Sequence, residues 1–167
     1  MKILVTGAAG TIGSAVRRHL GDDYDIVSLT HRPADFPSHV ADISDLDAIQ
    51  PAFEGVNAVV HLAASISVET PWPEIHRDNI VGVYNGSMVA LRTMLPQHQG
   101  KLINLLGRSG KKGIKYQNAY SASKVWVASF TSALAAEYKD SGVDIIAFNP
   151  GLVDTDMLRR VDVVQGY

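Results

Sequence analysis

The chain has 167 residues, 46% of them apolar and 19% charged, with a formal net charge of -2 and no cysteine. That composition is ordinary for a soluble globular chain and excludes a disordered one; the near-neutral charge gives no electrostatic case for nucleic acid or an anionic membrane as the main partner. Without thiols there can be no disulfide, no thiolate metal site and no cysteine nucleophile, which fits a reducing, cytoplasmic setting.

The length predicts one domain, 1–167. Met1–Gly10 lacks the longer apolar stretch of a secretory signal, and no window approaches ~20 uninterrupted apolar residues, so no membrane span is expected. Lys2–Thr6 (KILVT) reads as a buried strand ending in glycines. Thr11–Leu20 places Ile12, Val16 and Leu20 on one helical face. Tyr24–Leu29 is the second strand, Pro33 and Pro37 interrupt the segment after it, and Val40–Ala41 is a short third strand. Asp45–Phe53 reads as a helix that Asp45 caps.

Asn57–Ala63 is the next buried strand. A long helical region runs from Pro71 to about Leu95, where Pro96 closes it, and Lys101–Leu106 is a further strand. A glycine- and lysine-rich loop leads to a helix over 118–139, which Gly142 is expected to end as a C′ glycine. Val143–Phe148 is the last clear strand. Strands apolar on both faces, alternating with helices, predict a doubly wound, Rossmann-type α/β fold with a mostly parallel sheet.

Thr6–Gly13 (TGAAGTIG) joins the first strand to the first helix. Gly7 permits the tight turn, Gly10 admits a pyrophosphate close to the backbone, and Gly13 lets the helix pack near the sheet. The free N–H groups of the helix start then face the phosphates. The second strand ends in Thr30-His31-Arg32, with no acid to repel a 2′-phosphate. Arg32 either pairs with that phosphate, favouring NADP over NAD, or is a solvated loop residue.

Tyr120 and Lys124 stand at i and i+4 at the start of the late helix, so they share a face. An ammonium beside a phenol makes the phenolate accessible near neutral pH. Six scattered histidines form no ligand spacing, so no metal is expected. Arg108, Lys111, Lys112 and Lys115 either attract an anion or are simply solvated. Trp126, Val127 and Phe130 belong to the core or to a helix-to-helix homodimer surface; the two long helices are the expected pairing elements.

TGAAGTIG, Asp42, HLAA at His61–Ala64, Asn79, YSASK at Tyr120–Lys124 and NPG at Asn149–Gly151 occur in this order. In that arrangement the chain resembles the short-chain dehydrogenase/reductase family over essentially its whole length. The first half, with VVHLAASISVE, resembles the extended, sugar-acting branch and most of all uronate dehydrogenases; YSASK and NPGLVDTDM resemble the compact branch. The resemblance implies an NAD(P)-dependent oxidoreductase moving hydride between a nicotinamide and a carbonyl or alcohol substrate. Tyr120 would be the general acid/base, Lys124 would lower its pKa and hold the nicotinamide ribose, and Asn79 would support a proton-relay water. For Asn79 the other reading is a helix-kinking residue that only bonds backbone. Gly7, Ala9, Gly10, Thr11, Ile12 and Gly13 would meet the phosphates, with His31 and Arg32 at the adenosine end. Asp42 and Ile43 would flank adenine, Ala63 and Ala64 would line the cofactor, and Pro150, Gly151, Val153 and Thr155 would bracket the nicotinamide.

Two departures stand out. Thirteen residues before Tyr120, where the family places a serine, this chain has Gly107; Ser109 is the candidate substitute. The family also continues with a substrate-covering helix and another strand, whereas this sequence ends at Tyr167, so the pocket is expected to lack a wall. A catalytically impaired dinucleotide-binding module is the alternative function.

Overall fold

The computed structural model describes residues 1–65, 70–107, 115, 117–151 and 153. Expectations placed on Arg108, Ser109, Lys111, Lys112 and Thr155 lie outside the described residues.

The elements follow in the order β1 (Lys2–Thr6), α1 (Thr11–Leu20), β2 (Asp25–Thr30), β3 (His39–Val40), α2 (Leu46–Ile49) and β4 (Ala58–His61). Then come α3 (Trp72–Ile75), α4 (Gly82–Met94), β5 (Gly100–Leu105), α5 (Asn118–Glu137) and β6 (Val143–Phe148). The six strands form one parallel sheet in the order β3-β2-β1-β4-β5-β6. The order reverses between β1 and β4, so their C-terminal ends open the crevice where doubly wound folds bind ligands.

Register sorts the side chains into two layers. Val27, Leu4, Val59, Leu102 and Ile145 lie side by side on one face. They pack against Val89, Ala90 and Met94 of α4 and Leu134 of α5. Ile3, Val5 and Ala58 face the other way, toward Val16 and Leu20 of α1. Both faces of the central strands are thus covered by helices, which is why they are nearly continuous apolar runs.

Several boundaries differ from the sequence reading. Asp45 does cap α2, accepting from the Ala48 N–H at 3.1 Å, and the helix continues as a 3₁₀ turn over Gln50–Phe53. The region expected as one long helix has three parts, because a π-helical segment, His76–Val81, separates α3 from α4. Gly142 is not a C′ glycine. Helix α5 ends at Glu137, and Gly142 (φ 84°) sits in the turn into β6, where a Cβ would strike the His98 carbonyl. The need for glycine there is tertiary, which a helix-ending rule cannot register.

Candidate active site

The phosphate turn comes first along the chain. Gly7 has φ 66°, and a Cβ on it would lie 2.9 Å from the Ala63 nitrogen. Gly13 is buried in the first turn of α1, where a Cβ would run into the Gly7 carbonyl oxygen and the Ala8 backbone. These glycines let the turn, the α1 start and the segment after β4 close on one another. Gly10 is the N-cap of α1, with no side-chain cap and no acid in the first turn. The early N–H groups of Thr11, Ile12 and Gly13 therefore keep their positive field open to an anion. A dinucleotide pyrophosphate fits this cradle, and Ala9 and Gly10 are exposed at its lip.

Thr6, at the end of β1, fixes the crevice's other wall. Its buried hydroxyl accepts from the Leu62 and Ala63 N–H groups, both at 3.1 Å, and holds the HLAA segment beside the glycine turn. Ala63 and Ala64 are half-buried there. His31 and Arg32 are exposed just beyond β2. Asp42 accepts from the Ser44 N–H at 2.9 Å and from its hydroxyl at 2.7 Å. Burial pushes the Asp42 carboxyl up, but the Ser44 hydrogen bonds and the Arg77 and His31 charges outweigh it and hold it below the usual range. The Ile43 side chain is core, packed under Gly82 of α4.

At the other end of the crevice, Tyr120 and Lys124 lie on the buried face of α5, 9% and 4% exposed. Lys124 Nζ donates to the Leu105 carbonyl at 3.0 Å, and burial lowers its pKa to about 8. Burial raises the Tyr120 phenol. The sequence reading has Lys124 lowering it; here the ammonium is drawn to the end of β5 and sits 5.8 Å from the phenol ring centre. Gly107 faces this pair directly. A Cβ at position 107 would lie 2.9 Å from the Tyr120 hydroxyl and 3.3 Å from Lys124 Cγ.

Asn79 occupies the π-helical segment and is fully buried. Its carbonyl accepts from the Ser65 N–H at 2.7 Å, and its amide donates to the Ser65 carbonyl at 2.9 Å and to the Ser123 hydroxyl at 3.2 Å. Ser123 in turn donates to the Tyr120 carbonyl at 2.7 Å. Asn79 thus bonds backbone, as one of its two readings has it, and also braces the first turn of α5. Ser65 is gripped a third time, its hydroxyl donating to Asp78. Sequence reasoning assigns no role to Thr6, Ser65, Asp78 or Ser123 as side chains; their one signal is a short polar side chain beside a motif residue.

Pro150 is half-buried, Gly151 is exposed with φ 74°, and its N–H meets the Asn149 side chain at 3.0 Å, making the turn after β6; Val153 is half-buried. Among the described residues no three His, Cys, Asp or Glu side chains gather as metal ligands, and no helix is long and apolar enough to cross a membrane.

The arrangement is a phosphate cradle at one end and a phenol–ammonium pair at the other, both on the C-terminal edge of one parallel sheet. A family model described as short chain dehydrogenase matches residues 36–163. The chain is 41% identical over 91 residues to an L-arabinose 1-dehydrogenase (NAD(P)(+)) of Haloferax volcanii, a match covering 54% of this chain and 36% of that protein. It is 30% identical over 178 residues to the 3-oxoacyl-(acyl-carrier-protein) reductase MabA of Mycobacterium bovis, covering 96% of this chain and 72% of that one. A short-chain dehydrogenase/reductase oxidoreductase structure from Burkholderia thailandensis superposes with a TM-score of 0.84 at 25% identity, over 99% of this chain and 73% of that chain. A mutated uronate dehydrogenase superposes with a TM-score of 0.71 at 22% identity, over 83% and 55%, a likeness of fold alone. The chain belongs to the short-chain dehydrogenase/reductase family, and its activity class is NAD(P)-dependent oxidoreduction.

Proposed function

We propose that this chain moves hydride between NADP and a small carbonyl or alcohol substrate, with Tyr120 as the proton-transferring residue. The observation that carries this is the convergence of the Tyr120 hydroxyl and the Lys124 stem on position 107, beside the crevice that begins at the Gly7–Gly13 turn. A bound nicotinamide supplies or accepts the hydride. The Tyr120 hydroxyl donates its proton to the substrate oxygen in reduction and, as phenolate, accepts it in oxidation. Lys124, with a pKa near 8, is mostly cationic at neutral pH, and its ammonium is held by the Leu105 carbonyl at the end of β5. Asn79 and Ser123 hold the α5 turn that carries Tyr120. Gly7, Ala9, Gly10, Thr11, Ile12 and Gly13 would seat the phosphates, Asp42, Ile43, Ala63 and Ala64 the adenosine wall, and Pro150, Gly151 and Val153 the nicotinamide end.

Preference for NADP rests on Arg32, exposed after β2 without a carboxylate partner among the described residues. Fluorescence titration of NADPH and NADH tests it. NADPH should bind more tightly, and Arg32→Asp should reverse or abolish the difference; tighter NADH binding by the unaltered protein sinks the assignment. Turnover is then tested on aldoses and 3-oxoacyl thioesters, the two substrate types that the relatives' names point to.

A second reading, dinucleotide binding without turnover, has Gly107 in its favour. The retained Tyr120 and Lys124 geometry weighs more, since each side chain is buried in place. A homodimer is supported by an aromatic cluster on α4 and α5. Trp126 and Phe130 stack at 4.7 Å between ring centres, Tyr84 joins at 5.8 Å, and Tyr84 and Val125 are about half exposed. A cytoplasmic location is the accompanying proposal; the cysteine-free composition is in keeping with a reducing compartment.

A further inference from the structure

Three consecutive residues of the π-helical segment reach three different parts of the molecule. A π turn holds one residue more than an α turn, which turns these side chains off the regular helical faces. Arg77 faces Asp42, just after β3, with its Nε 4.0 Å from that carboxylate. Asp78 faces the segment after β4, where one of its oxygens accepts from the Ser65 hydroxyl. Asn79 faces α5, where its amide donates to the Ser123 hydroxyl at 3.2 Å. Arg77 Nε also donates to the other Asp78 oxygen at 2.7 Å, so both oxygens of Asp78 are engaged. An exposed pair such as Arg77 with Asp78 would count for little by itself. The Asp78 side chain is only 18% exposed, however, and its bond to Ser65 is charge-assisted.

We propose that Asp78 is a positioning residue for the proton transfer: anchored through Arg77 to Asp42, it holds Ser65 so that Asn79 and Ser123 keep Tyr120 in place. The inference rests on the reading of Tyr120 given above. Each link is a short contact. Asp78 fixes the Ser65 side chain, and the Ser65 backbone fixes both ends of the Asn79 amide, at 2.7 and 2.9 Å. That amide holds the Ser123 hydroxyl, which donates to the Tyr120 carbonyl at 2.7 Å. The cofactor-lining end of the same segment has an anchor of its own, because the Thr6 hydroxyl holds the Leu62 and Ala63 N–H groups. Loss of the Asp78 contact therefore loosens the start of α5 and leaves the wall at Ala63 in place. Turnover and cofactor affinity should separate.

Steady-state kinetics, NADPH titration and amide hydrogen exchange together test it. The proteins are the unaltered chain, Asp78→Ala, Asp78→Asn, Ser65→Ala and Arg77→Ala, with Asp78→Ala also combined with each of the last two, and circular dichroism checks each fold. Asp78→Ala and Ser65→Ala should each lower kcat roughly tenfold, with the NADPH dissociation constant held within about twofold. Combined, they should cost no more than either alone, because both remove the same bond. Arg77→Ala should lower kcat about threefold, and not at all once Asp78 is gone. Asp78→Asn should restore kcat to within about threefold of the unaltered chain, since an amide can accept from Arg77 and donate to the Ser65 oxygen. Backbone amides over 121–124 of α5 should exchange several-fold faster in Asp78→Ala and Ser65→Ala. Unchanged exchange there overturns the proposal whatever the turnover. So does an unchanged kcat in both single variants while Tyr120→Phe is inactive. Additive losses in the Ser65/Asp78 double variant, or a loss of NADPH affinity that matches the loss of kcat, overturn it as well; the latter would make Asp78 part of the cofactor wall. If Asp78→Ala does not fold, Ser65→Ala decides with the same readouts, since it removes only a hydroxyl. Retained turnover in Tyr120→Phe removes the reading of Tyr120 itself, and the proposal with it.

Discussion

The two ends of the crevice are built from different materials. At the phosphate end the shape is backbone: Gly7 and Gly13 are where they are because a Cβ would meet the Ala63 nitrogen or the Gly7 carbonyl. At the catalytic end the shape is side chain: Tyr120, Lys124, Asn79 and Ser123 are buried and braced across α5, the π-helical segment and the end of β5. A backbone cradle fails when atoms are added to it, whereas a side-chain site fails when atoms are removed. Position 107 is the exception, a bare backbone spot inside the side-chain end.

The largest effect is expected from removing one oxygen at the catalytic end. Tyr120→Phe should lower kcat by about 10²–10⁴ while leaving NADPH affinity within about twofold, as steady-state kinetics and titration would report. Retained turnover would move the proton chemistry elsewhere.

Adding an atom at position 107 should act in the opposite sense. Gly107→Ser places Cβ 2.9 Å from the Tyr120 hydroxyl, so the phenol must retreat by a few tenths of an ångström. As the far end of a side chain it can do so, and the new hydroxyl then stands beside it as a second donor to the substrate oxygen. Activity should rise by up to ~10²-fold. A folded, cofactor-binding variant with no gain would mean that the site does not lack a donor. Ser109→Ala in the unaltered background then shows whether that serine already supplies it.

At the phosphate end, Gly13→Val forces a branched side chain into the Gly7 carbonyl and the Ala8 backbone. Overpacking of this kind costs about 1–3 kcal/mol, so NADPH affinity should fall by roughly 10–100-fold or the melting temperature should drop. Unchanged affinity and unchanged Tm together would remove the close-packing argument.

The smallest effect is a pH slope beneath the site. His61 registers beside Asn104 and Thr6 in a buried polar row. Both His61 ring nitrogens and the Asn104 side-chain oxygen lack partners among the described residues. Burial, with the Lys124 charge, pushes His61 down from 6.5 to about 3. Between those values the unfolded chain binds one more proton than the folded one, so stability falls as pH falls through that window. Compared with His61→Asn, the unaltered chain should lose up to about 1.4 kcal/mol more per pH unit between about pH 5.5 and 4.5, read from urea midpoints. Parallel slopes in the two proteins would mean that His61 protonates without cost.

The same division explains what can be read without coordinates. Gly13 and Asp45 act through neighbours close in sequence, and the strands show as continuous apolar runs, so their roles follow from spacing and composition; Gly7 is legible through its place in the motif, although its close neighbour is Ala63. A helix-ending rule misplaces Gly142 because its neighbour is His98, 44 residues away. Lys124 pairs with Tyr120 by helical spacing, yet its ammonium bonds Leu105 on another element, a preference no i, i+4 rule contains. The break in the long helix around Asn79 carries no proline, and only the helix-kinking reading of Asn79 points to it.

By itself, then, the sequence determined the alternation of strands and helices, the parallel sheet, the phosphate turn and the identity of the phenol–ammonium pair. Each of these depends on local steric rules or on which face of an element is apolar. Only the tertiary structure decided that position 107 faces the phenol, that Ser65 is held by Asp78 and Asn79, and that Arg17 spans Ala8 and Phe36. Those relations join residues far apart in the chain. They arise from the register of β1, β2, β4 and β5 and from the packing of α1 and α5 against them.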